Sequence, residues 1–108
     1  MEFCDPYGWH ELNPDGVLAI RSKLAEFEKL TWKEILRPGC GNHRIAVVRI
    51  CRTAQDRLME LRLDEIDHLV SLRFQGSVRV WGYIDRGVMT LLWWDPDHSV
   101  YPMNLANN

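Results

Sequence analysis

Apolar residues change their spacing along this chain, and each change marks an element. Val17, Ile20, Leu24 and Phe27 recur at three- and four-residue steps, which puts them on one helical face with Lys23, Glu26 and Lys29 turned elsewhere. Asn13-Pro14-Asp15 supplies the start signal: Asn accepts from orphan N–H groups, Pro suits the first turn, and Asp suits the positive end of the helix dipole. Thr31-Trp32-Lys33-Glu34 has the form of a capping box, which predicts a second short helix as far as Arg37, ended by Pro38-Gly39. Arg44 to Ile50 is short and rich in Ile and Val, so it predicts a strand. Thr53 is placed to cap a third helix through Leu61, with Ala54, Leu58 and Leu61 on one side, and Asp64 to Leu69 reads as a further helical turn.

From Val70 the period becomes two. Val70, Leu72 and Phe74 alternate with Ser71, Arg73 and Gln75, and after the Gly76-Ser77 link Val78, Val80 and Ile84 alternate with Arg79, Trp81 and Tyr83. Asp85-Arg86-Gly87 is a second tight turn, and the apolar run Val88 to Trp94 predicts a strand buried on both faces. Asp95-Pro96-Asp97-His98 is a turn sequence, after which Ser99-Val100-Tyr101 is expected to pair as a last short strand. The pattern predicts an α+β fold, with N-terminal helices packed on a C-terminal antiparallel β-meander.

Composition narrows the class. At 108 residues, 46% hydrophobic and 26% charged, the chain is expected to form one domain over 1–108. A loosely ordered arm over 1–12, able to add an edge strand, and a frayed tail over 104–108 flank it. No apolar run approaches the roughly 20 residues that span a bilayer, and the N-terminus lacks a basic start followed by an apolar signal core. Cys4, Cys40 and Cys51 fit free thiols better than a disulfide framework, so the expected compartment is the cytoplasm. A formal charge of −2 argues against a surface that is basic throughout, and leaves room for a local basic face.

Four groups of residues carry candidate chemistry. Arg73 and Arg79 flank the hairpin turn on neighbouring strands, where two planar guanidinium forks can clamp a phosphate or pair with nearby carboxylates as ordinary surface residues. His98 stands in a polar turn set against Trp93 and Trp94, a place that can shift a pKa; alternatively Asp95 caps the turn and the tryptophans are core. Trp81 and Tyr83 share a strand face with Arg79 and suggest a stacking surface for bases, although such rings more often cover a core. Cys40 and His43 are spaced like two metal ligands but have no second pair, so no metal and no cofactor is expected.

The helical first half, the hairpin-linked meander with Leu72-Arg73 and Val78-Arg79-Val80, and the ending His98-x-x-Tyr101 resemble the RelE/ParE superfamily of bacterial toxins. Ribosome-dependent members cut mRNA by driving the 2′-hydroxyl at the adjacent phosphate. The resemblance implies a metal-independent endoribonuclease in which His98 is the acid or base, Tyr101 orients or donates, and Arg73 and Arg79 hold the charged phosphorane. Arg44, Trp81 and Tyr83 would contact RNA, and the implied partners are mRNA on the ribosome and a cognate antitoxin. A different class of function, a non-enzymatic protein-binding module, would use the aromatic sheet face or the Trp9 arm.

Overall fold

The computed structural model describes residues 1–2 and 7–101. Cys4 and the expected tail from Asn104 lie outside them. Helix α1 spans Pro14–Phe27, and the Asn13 side chain accepts from the Gly16 N–H at 2.7 Å, as a cap should. Its core-facing stripe is Ile20, which is buried, with Leu24 and Phe27 partly buried, whereas Val17 is 48% exposed. Leu12 supplies the apolar contact at that end instead, folding back beneath Gly16 so that a Cβ there would lie 2.8 Å from its Cδ2.

Both halves of the capping box form at α2, Trp32–Ile35. The helix stops short of Arg37 because the Ile35 carbonyl accepts from the Cys40 thiol at 2.8 Å and the Asn42 amide at 2.9 Å. Strand β1 is only His43–Ala46, followed by a 3₁₀ turn over Val47–Arg49 that replaces the rest of the expected strand and delivers Ile50 to the core. Helix α3 covers Arg52–Glu60 with Cys51, not Thr53, at its cap position, where the Cys51 N–H donates to the Val100 carbonyl at 2.8 Å. Arg62 at φ 61° then ends the helix, with Leu63 N–H on Leu58 O and Arg62 N–H on Met59 O. That left-handed stop explains why Asp64 to Leu69 forms turns and the start of a strand, not a further helical turn.

Strands β2, His68–Gln75, β3, Val78–Asp85, and β4, Val88–Asp95, complete an antiparallel sheet in the order β1-β2-β3-β4. The fold is therefore mixed α+β, as the alternation predicted. Arg86 and Gly87 both take positive φ, 55° and 83°, as a two-residue hairpin of this twist requires. Ser99 to Tyr101 does not pair as a strand, since bonds to Asp95 bend the chain there.

The sheet is covered on both sides. Val70, Leu72 and Val80 pack with α1 and α2, while Ile45, Leu69, Trp81 and Trp93 pack with α3 through Ala54 and Leu58. Only the second half of β4 is buried as expected; Val88 at its start is 66% exposed. The outer edge of β4 is met by the N-terminal residues: Glu2 N–H donates to Leu92 O and Trp94 N–H to Tyr7 O, each at 3.0 Å. Arg57 of α3 grips the Glu2 carboxylate at 2.9 and 2.7 Å and ties Glu2 to the helix. Among the described residues no helix is long and apolar enough to cross a membrane.

Candidate functional site

Antiparallel pairing places Arg73 directly across from Arg79, and Arg79 directly across from Asp95. The three form one row at the end of the sheet where β2 turns into β3. Among the described residues, no carboxylate lies within ion-pairing distance of Arg73 or Arg79. Arg79 leans back on its own turn, donating from Nη1 to the carbonyls of Gly76 at 2.6 Å and Val78 at 3.1 Å, while its buried Nε has no partner. Burial lowers its pKa from the ordinary value, the charge of Arg73 lowers it further, and Asp95 opposes both. Two arginines thus sit side by side with donor capacity unspent.

Asp95 is 0% exposed, and four donors converge on it. Its Oδ2 accepts from Trp81 Nε1 at 3.1 Å and Val100 N–H at 3.0 Å, and its Oδ1 from Ser99 N–H at 2.9 Å and Ser99 Oγ at 3.0 Å. Asp95 is therefore the cap of the 96–101 loop, and Trp81 and Trp93, 0% and 1% exposed, are core. Trp81 has no free ring face for a base, which corrects its assignment to a stacking surface: α3, placed by tertiary packing, covers that side of the sheet. Tyr83 is half-buried against the same core.

His98 follows the turn at Pro96-Asp97, with φ 57° and a partly buried ring. Ser77 Oγ donates to the Pro96 carbonyl at 2.6 Å, so the turn before His98 is fastened to the turn on which Arg79 leans. Tyr101, at the other end of the loop, accepts from Arg49 Nη2 at 2.9 Å and carries the Arg49 guanidinium 5.6 Å above its ring centroid. Arg44 pairs with Val70 and so lies on the opposite face of the sheet from Arg73 and Arg79, away from the site it was expected to join.

Cys40 spends its thiol on the carbonyls of Ile35 and Arg37, both at 2.8 Å, and His43 is exposed on the β1 edge. Among the described residues no group of three His, Cys, Asp or Glu side chains could hold a metal ion. Asn42, which sequence reasoning passed over, is buried and doubly engaged, donating to Ile35 O at 2.9 Å and accepting from Arg73 N–H at 2.8 Å. It joins the end of α2 to the strand that carries Arg73; an Asn after two turn glycines was the only signal for it. No protein-family model matches this chain, and no curated protein or solved structure matches it either.

Proposed function

We propose that this protein binds the phosphate backbone of RNA on the Arg73–Arg79 pair and cuts it with His98 as a proton-transfer group, in the manner of RelE-like toxins. The observation that carries the reading is the pair itself. Among the described residues, two like charges are held on adjacent strands without a carboxylate in ion-pairing range and a buried Nε has no acceptor, a combination that an anion relieves. In the reaction the 2′-hydroxyl loses its proton to a base and attacks phosphorus, while the 5′-oxygen leaves and takes a proton. His98 serves one of these transfers, and the two guanidinium groups offset the charge of the phosphorane. Tyr101, whose hydroxyl accepts from Arg49, is the residue this reading assigns to orienting or donating. Messenger RNA on the ribosome and a cognate antitoxin in the cytoplasm are the partners this reading proposes.

The test follows binding and cutting of a labelled single-stranded RNA by the native protein, Arg79→Gln and His98→Ala. Arg79→Gln should weaken binding by about tenfold, the worth of a charged hydrogen bond. His98→Ala should bind as before and cut about 10²–10⁴ more slowly. Unchanged binding in Arg79→Gln, or a cleavage loss below about threefold in folded His98→Ala, would sink the proposal.

A further inference from the structure

A cleft opens between α1, α2 and β2, with Asn42 in its lining. Its volume is about 190 Å³, and it is lined by Lys23, Arg37 and Arg73 on its polar side and by Phe27 and Ile35 on its apolar side. Arg73 starts on the Arg79 face of the sheet, and its side chain runs past Gly41 to line this cleft: a Cβ on Gly41 would meet the Arg73 Cδ at 2.7 Å, and the φ of +87° already favours glycine. The stem of the arginine therefore lies in a path that a side chain at 41 would block.

We infer that this cleft is a binding site for a small phosphate monoester with an apolar body. Charge is the first reason. Lys23, Arg37 and Arg73 bring three positive charges to the lining and Glu34 one negative charge, a net of two that matches the nearly dianionic phosphate monoester better than a carboxylate. Among the described residues Glu34 makes no ion pair with these cations: its Oε1 accepts from the Thr31 N–H at 2.8 Å and hydroxyl at 3.2 Å, and Arg37 is the weakest of the influences that hold its pKa down. Among the described residues Lys23 makes one ion pair, a weak 4.0 Å approach to Glu26, whose side chain is 69% exposed.

Size and surface give the rest. The cleft falls below the roughly 300–1,000 Å³ of sites for drug-sized ligands, so it suits a phosphate with one small apolar group. Phe27 supplies the wall for that group, and Lys23 Nζ stands 5.7 Å from its ring centroid, where ammonium and ring are presented together. The site shares Arg73 with the proposed RNA clamp but does not depend on it, since Lys23 and Arg37 lie outside the Arg79 row.

Phenyl phosphate is the probe, titrated into the isotopically labelled protein with amide shifts read by NMR. Saturable shifts at Cys40, Gly41 and Asn42 are expected, with affinity reduced about tenfold or more in Arg37→Gln and in Lys23→Gln, and changed less than about twofold in Arg79→Gln. Both lost side chains are on the surface, and melting curves would verify that the variants fold. Phenol should not bind, and the monoanion phenyl sulfate should bind more weakly. No saturable shifts in the native protein, equal affinity for phenyl sulfate, or binding indifferent to Arg37→Gln would overturn the inference. Loss of RNA binding in Arg79→Gln with phenyl phosphate still bound would separate the two sites.

Discussion

Removing the Asp95 side chain is the most demanding test of how the loop beside the site is built. In Asp95→Ala the four donors lose their acceptor together. Ser99 is exposed, so its N–H and hydroxyl regain water at little cost. Trp81 Nε1 and the Val100 N–H cannot, because both residues are 0% exposed. An orphaned buried donor costs about 1–3 kcal/mol, so the pair predicts a loss of about 2–6 kcal/mol, softened by relief of the carboxylate's own burial. Against the roughly 5–15 kcal/mol that holds a domain of this size, that is a large fraction. Asp95→Asn keeps the shape and one acceptor oxygen but turns an amide toward incoming donors, and should cost less than Ala. Urea unfolding followed by tryptophan fluorescence reads the difference, with amide exchange at Ser99 and Val100 rising first. A loss below about 1 kcal/mol in Asp95→Ala, with an unchanged denaturant slope, would refute the view that Asp95 pins the loop.

Other consequences are as direct. Gly82→Ala should destabilise by about 1–3 kcal/mol in the same urea assay, because its Cβ would run into the Thr90 carbonyl where β3 and β4 shift register, and backbone cannot swing aside. The Glu34 carboxyl is held below its ordinary value of 4.5, first by the Thr31 backbone N–H and then by the Thr31 hydroxyl. Its folded pKa lies below the unfolded one, so the capping contribution is present above pH 4.5 and is lost as pH falls through the folded value. A pH titration of the Thr31 amide by NMR should show this, and a Glu34 midpoint at or above 4.5 would contradict it.

The candidate site was legible where it depends on register. Once β2 and β3 are joined by Gly76-Ser77, alternation puts Arg73 and Arg79 on one face and makes them neighbours, and the structure pairs them directly. Lys23 and Arg37 were not legible as partners of Arg73, because residues on two helices meet a strand only when the helices dock, and no local spacing encodes that.

Local chemistry therefore determined the helix starts at Asn13 and Thr31, the two hairpins of the meander and the α+β class, since caps, period and turns act within a few residues. Tertiary structure decided the rest. The same alternation that set Trp81 beside Arg79 could not say whether that face meets water or a helix, and α3 buries it. Asp95 could have capped an open turn, but it became an interior acceptor because Trp81 and Val100 bring their donors to it from other parts of the chain. Strand β1 ended at Ala46 because the chain had to turn through Ile50 to lay α3 on the sheet. Burial is a property of what arrives from elsewhere in the chain, and that is where the sequence pattern stopped.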